Sequence, residues 1–292
     1  MRVLVTGCHG QVGSEVVALS DETFQVSAYG RGDLDITSAE AIDRRFDEAM
    51  PDLVVNCAAY TAVDRAEDES GLAHAVNADA LALLGRVCAD RHVGIIHFST
   101  DYVFDGRKPT PYVEDDAPNP LGVYGASKLA GEEQLRAATH RHIILRVSWV
   151  FGRVGRSFVD TVLRLARSRK RLTVVDDQIG SPSPATAIAD AVRRIAETVD
   201  TTEDAWGTYH FSTVPTLSWC AFARRIVSTA AQIGLLEDVP EILPITTAEW
   251  PAKAARPLNS RLDSTKAART FAYEAQRWDR HLQEYLRSRL PA

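Results

Sequence analysis

The sequence predicts an α/β fold, a doubly wound parallel sheet followed by a second, smaller domain, and three observations predict it. Short apolar runs alternate with helix-length amphipathic segments through the first half of the chain, the pattern of β-α-β units. A glycine-rich turn, Gly7-Cys-His-Gly10-Gln-Val-Gly13, directly follows the first apolar run. After about residue 150 the alternation decays, and Pro182, Pro184, Pro215, Pro240, Pro244, Pro251 and Pro257 punctuate the chain, a sign of irregular connections.

The first strand is expected at 2–6, Arg2-Val-Leu-Val-Thr6, whose continuous apolar character suits a strand buried on both faces. A helix follows at 12–20. Between them the glycines permit a tight turn and close backbone approach, and the helix start offers unpaired N–H groups to phosphate. Gly7, Gly10, Gln11, Val12 and Gly13 are therefore candidate dinucleotide-binding residues of a Rossmann-type sheet, although their Gly-x-x-Gly-x-x-Gly spacing departs from the commoner Gly-x-Gly-x-x-Gly. The second strand, 25–29, leads into Gly30-Arg-Gly-Asp-Leu-Asp35. Arg31 would accommodate the 2′-phosphate of NADPH, and Asp33 or Asp35 the ribose 2′-hydroxyl of NADH, so both cofactors stay open, with NADPH preferred.

Further strands are expected at 52–56, 94–99 and 143–148, and helices at 38–49, 71–91 and 122–138. In such sheets ligands sit beyond the carboxyl ends of the strands. The third strand ends in Asn56-Cys-Ala-Ala-Tyr-Thr61, where the small Ala58 and Ala59 would let a cofactor lie against backbone. The fourth ends in Ser99-Thr-Asp-Tyr-Val103. Tyr124 and Lys128 stand four residues apart on the next helix and share a face. A neighbouring ammonium favours ionised phenol, so this pair suits proton exchange with a substrate oxygen. Thr100 would donate a hydrogen bond to that oxygen, and Asp101 would orient Thr100 or cap a turn.

Past residue 150, helices are expected at 158–169, 183–199, 218–233 and 273–290, and a strand at 208–212. The expected division is a dinucleotide-binding domain over 1–150 and a mainly substrate-binding domain over 151–292, with some later segments returning to the first.

A net charge of −6 gives no support to a nucleic-acid partner. No apolar run reaches membrane-spanning length and the start lacks a signal peptide. Cys8, Cys57, Cys88 and Cys220 lack metal-ligand spacing and read as reduced thiols of a cytoplasmic protein.

Together, Gly7-x-x-Gly10-x-x-Gly13, Thr100 and Tyr124-x-x-x-Lys128 resemble the extended short-chain dehydrogenase/reductases. The blocks 56–64, 98–106, 119–132, 145–150, 177–182 and 256–262 narrow the resemblance to the dTDP-4-dehydrorhamnose reductase family. The resemblance implies an oxidoreductase of dTDP-rhamnose biosynthesis, which feeds cell-wall polysaccharide. It implies reduction of the C4 ketone of a nucleotide sugar, dTDP-6-deoxy-L-lyxo-4-hexulose, by NADPH. Thr100, Tyr124 and Lys128 would be the catalytic set, with Lys128 also on the nicotinamide ribose. The resemblance adds Thr61 to Ala58 and Ala59 at the cofactor. Asp101, Val103, Trp149, Arg256 and Asn259 would join Thr100 and Tyr124 around the substrate. Some members are Mg²⁺-bridged dimers. Glu15 matches one ligand, but 184–190 lacks a second acid of the expected kind, which leaves Mg²⁺ doubtful and the chain a monomer or homodimer. Two alternatives share the scaffold. One is another nucleotide-sugar reductase, or a dehydratase or epimerase, against which stands Tyr102 where dehydratases carry an acid. The other is a non-catalytic regulatory subunit like that of methionine adenosyltransferase, against which stands the intact catalytic set.

Overall fold

The computed structural model describes residues 1–290. In chain order its main elements are β1 (Arg2–Thr6), α1 (Gln11–Val17), β2 (Gln25–Tyr29), α2 (Ala39–Ala49) and β3 (Leu53–Asn56). Next come the long helix α3 (Ser70–Asp90), β4 (Gly94–Thr100), α4 (Val123–Ala138) and β5 (His142–Val147). The second half holds α5 (Phe158–Ala166), β6 (Arg171–Val175), α6 (Ala185–Val199), β7 (Gly207–His210), α7 (Trp219–Gln232), β8 (Glu241–Ile245), α8 (Thr265–Thr270) and α9 (Trp278–Arg287).

Six strands form one parallel sheet in the order β2-β1-β3-β4-β5-β7. Chain direction across the sheet reverses between β1 and β3, which opens a crevice beyond their carboxyl ends. Side chains of each strand alternate between two buried faces. Val3, Val5, Leu53, Val55, Ile96, Ile143 and Leu145 join the core that α1 and α6 cover. Leu4, Val54, Ile95 and Ile144 join the core under α2, α3 and α4. That alternation, apolar on both sides, is why these strands read as unbroken hydrophobic runs.

The helix expected at 71–91 exists but is not regular. One π turn at Ala75–Asp79 interrupts it and turns Asn77 fully inward. By length and composition alone α3 could cross a membrane, a test that a buried core helix also passes. Here Leu81, Leu84 and Cys88 bury that apolar face against the sheet and α4.

A separate core gathers α5, α7, α9, β6 and β8 around Val159, Phe222, Ile226, Trp278 and Leu282. Ser157 and Asp160 start α5 with a capping box. Several later segments rejoin the first core: α6, β7, and the stretch through Ala267, Phe271 and Tyr273. The final helix begins at Trp278, later than expected, and α8 was not anticipated. At six residues, α8 is too short to show a helical period in the sequence.

Candidate active site

The glycine turn is built for backbone approach. Gly7 has φ of +63°, and a Cβ there would lie 2.7 Å from the Ala58 nitrogen. A Cβ on Gly13 would lie 2.3 Å from the Gly7 carbonyl oxygen. The Gly10 amide donates to Gly7 O at 2.9 Å, and no side chain caps α1. The Gln11 amide oxygen is buried without a partner. An uncapped helix start, a cradle that any Cβ would fill and an unsatisfied acceptor fit a dinucleotide pyrophosphate and its sugar.

At the end of β2 the acids close turns. Asp33 accepts from the Gly30 amide at 2.9 Å, and Asp35 accepts from the Thr37 amide and hydroxyl at 2.9 and 2.7 Å. Those Thr37 bonds hold the Asp35 carboxyl below its usual range. Arg31 is exposed and makes no ion pair among the described residues. The cation is the available group at this corner.

Thr100 is the last residue of β4 and is buried. Its hydroxyl accepts from the Tyr102 amide at 3.2 Å and donates to Asp101 at 3.1 Å. Thr100 therefore caps the turn, and Asp101 orients Thr100. Burial pushes its carboxyl up to about 6, with the Ser260 and Thr100 hydroxyls opposing. Tyr124, in the first turn of α4, sets its ring edge-on to Tyr102, centroids 5.5 Å apart.

The Tyr124–Lys128 pair departs from expectation in its electrostatics. The Lys128 ammonium turns inward, donating to Phe98 O at 2.7 Å and meeting His97 Nε2 at 3.0 Å. Burial pulls Lys128 down to about 8, with Glu132 opposing. Tyr124 is pushed up to about 12, because burial outweighs the nearby Thr100 hydroxyl. The lysine does not depress this phenol, because its charge is spent on the β4 backbone and on His97. A phenol at about 12 stays protonated at neutral pH, which is the form that can give a proton away.

Polar residues the sequence reading passed over hold this arrangement. Asn77 donates to Ser127 Oγ and Tyr60 O, both at 3.0 Å, and accepts from the Tyr60 amide at 2.8 Å. It fastens the loop after β3 to α4. A Cβ on Gly131 would lie 1.9 Å from Asn77 O, so α4 crosses here at backbone distance. The signal was an Asn set directly between apolar Ala75-Val76 and Ala78, since a buried amide demands partners.

Ala58 and Ala59 line the third strand's end half-buried, and Thr61 is exposed beside them. A cleft of about 330 Å³ opens beyond Tyr102, lined by Phe158, Leu165, Trp219, Trp250 and Arg256. Trp149 adopts φ of +49°, a left-handed conformation costly for a bulky residue. Its indole stacks on Trp219, centroids 3.5 Å apart. Arg256 reaches the cleft while donating to Asp64 at 2.8 and 3.1 Å.

Three residues expected at ligands have their groups engaged within the protein. Val103 is fully buried among Phe104, Tyr112 and Leu262, and its carbonyl accepts from the Asn119 amide. Asn259 spends its amide within the protein, donating to Lys108 O and Thr110 O and accepting from Arg261. Glu15, the Mg²⁺ candidate, gives both carboxylate oxygens to Arg153, which matches its charge within the protein. Among the described residues no group of His, Cys, Asp and Glu could hold a metal ion.

The family model described as RmlD substrate binding domain matches residues 1–290. A dTDP-4-dehydrorhamnose reductase of Aggregatibacter actinomycetemcomitans is 42% identical over 284 residues, covering 96% of this chain and 97% of the relative. One from Sinorhizobium fredii is 41% identical over 281 residues, covering 96% and 94%. Among solved structures, a dTDP-4-dehydrorhamnose reductase of Bacillus anthracis in complex with NADP superposes with a TM-score of 0.90 at 32% identity, covering 98% of this chain and 99% of that one.

Proposed function

The chain belongs to the RmlD substrate-binding family, and from that premise we propose that it is an NADPH-dependent reductase of the C4 ketone of dTDP-6-deoxy-L-lyxo-4-hexulose, giving dTDP-L-rhamnose. The observation that carries the reading is the Thr100 hydroxyl beside the Tyr124 phenol, with Lys128 one helical turn further along α4 and a glycine cradle suited to a dinucleotide at the same sheet edge.

Bound NADPH supplies the hydride that reaches C4 of the sugar. The chain's residues manage the oxygen. Tyr124, loaded with its proton, gives it to the developing alkoxide, so one hydride and one proton complete the alcohol. Thr100 donates a hydrogen bond to the same oxygen once its hydroxyl turns from Asp101. Lys128 uses two of its three N–H groups on Phe98 O and His97 and has one left for the nicotinamide ribose. Ala58, Ala59 and Thr61 supply the flat floor beside it. The lobe around Phe158, Trp219 and Trp250 takes the nucleotide sugar, Trp149 lies under the sugar ring, and Arg256 faces the diphosphate.

The decisive assay follows NADPH consumption with the 4-keto nucleotide sugar. One NADPH oxidised per alcohol formed is expected. Product formed without NADPH loss would overturn the reading in favour of an epimerase or dehydratase. Arg31 carries a second expectation. In the parent protein kcat/KM favours NADPH over NADH, and Arg31→Ala lowers that preference by about tenfold, the loss of one charge-assisted contact. An unchanged preference would remove Arg31 from the cofactor site.

A further inference from the structure

The mechanism leaves one buried polar chain unused. His97 lies in β4 and is 1% exposed. Its Nε2 stands 3.0 Å from Lys128 Nζ, and its Nδ1 stands 2.9 Å from the Asn56 amide. The other end of that amide meets Thr6 Oγ1 at 2.5 Å, and Thr6 Oγ1 accepts from the Ala58 amide at 3.3 Å. The chain thus runs from the catalytic helix across β4, β3 and β1 to the loop that floors the cofactor site.

We propose that His97 is the positioning residue of Lys128, an imidazole clamped by Asn56 that accepts one N–H of the ammonium and so aims the remaining N–H at the ligand. The inference rests on the reading of Lys128 given above. An ammonium only donates, so Nε2 accepts and the ring's single proton sits on Nδ1. The structure sets Asn56 Nδ2 toward Nδ1 and Oδ1 toward Thr6; a proton on Nδ1 requires the amide turned over, its oxygen accepting from Nδ1–H and its NH₂ facing Thr6. Burial and the Lys128 charge hold His97 well below its usual range, which keeps the ring neutral. The charged groups facing the pair are few: Glu132 acts on Lys128 from α4, while Asn56 and Thr6 approach from β3 and β1 without charge. A lysine has four rotatable side-chain bonds and little intrinsic aim. Two fixed acceptors, Phe98 O and His97, remove that freedom before a ligand arrives.

The test compares His97→Phe, which keeps a ring but no acceptor, with His97→Gln, which keeps one. His97→Phe is expected to lower kcat at least about tenfold and raise KM for NADPH, with KM for the sugar nucleotide changed less than about twofold. His97→Gln should recover both to within about threefold. A merely structural histidine would shift thermal stability without that split and without rescue. The parent protein gives an independent reading through ¹⁵N shifts of the His97 ring. A neutral Nδ1–H tautomer is expected at about pH 7, below the Lys128 pKa of about 8, whether or not the His97→Phe chain folds. An Nε2–H tautomer, or His97→Phe with parental kcat and KM, would overturn the inference. The tautomer is read without turnover, so its failure is distinct from failure of the ketone-reductase assay.

Discussion

Tyr124→Phe is expected to lower kcat by about 10²-fold or more, the range that a positioned proton donor contributes, while the NADPH dissociation constant moves less than about threefold. The substitution keeps the ring that packs edge-on to Tyr102, so fold and pocket shape survive and only the proton is lost. Without it the alkoxide must take a proton from water in a half-closed cleft. Steady-state kcat beside a fluorescence titration of NADPH separates the two quantities. Parental turnover would refute Tyr124 as the acid. A loss confined to NADPH binding would assign Tyr124 to the cofactor alone.

Glu132→Ala is expected to destabilise the protein by about 3–5 kcal/mol, the cost of stranding a buried charge. Glu132 is fully buried and Arg146 is 2% exposed. The two share a fork of bonds, Nε to Oε1 at 2.8 Å and Nη2 to Oε2 at 2.7 Å, and Arg136 reaches the same carboxylate from the surface. An arginine cannot shed its proton to escape the interior. Its remaining neighbours are neutral: the Phe104 face at 5.0 Å, and His210, depressed to about 3 chiefly by burial and next by Arg146 itself. Urea denaturation reads the loss as a lower midpoint at unchanged slope. The double replacement Glu132→Leu with Arg146→Met should recover most of it, because removing both partners avoids the unpaired charge. A loss below about 1 kcal/mol would mean that water reaches Arg146.

The first half of the sheet was legible because each strand buries both faces and so appears as an apolar run of strand length. Tyr124 and Lys128 were legible because helical spacing alone puts them on one side of α4. What spacing could not show is which way a long side chain turns. Lys128 has acceptors inside the sheet, and these belong to residues 97 and 98, some thirty positions earlier. The internal contacts of Val103 and Asn259 were hidden for a related reason. Each lies next to ligand-facing residues, but strand-end geometry points one into a small core and hydrogen bonding claims all of the other. Tertiary partners decide such cases, and they are separated in sequence. The π turn at Ala75–Asp79 was likewise invisible, since one extra residue per turn hardly alters an apolar run.

The sixth strand has a consequence for how the chain is made. β7 pairs with β5 only after the ribosome has passed Gly207, and the first core also waits for Phe271 and Tyr273. The amino-terminal half is therefore not a self-sufficient folding unit during synthesis. From the completion of Val147 to the arrival of His210, β5 emerges with one edge unpaired and an apolar face that α6 has not yet covered. At roughly 5–20 residues per second that interval lasts seconds, long against strand pairing and long enough for a nascent chain to need shielding from its neighbours on the same message.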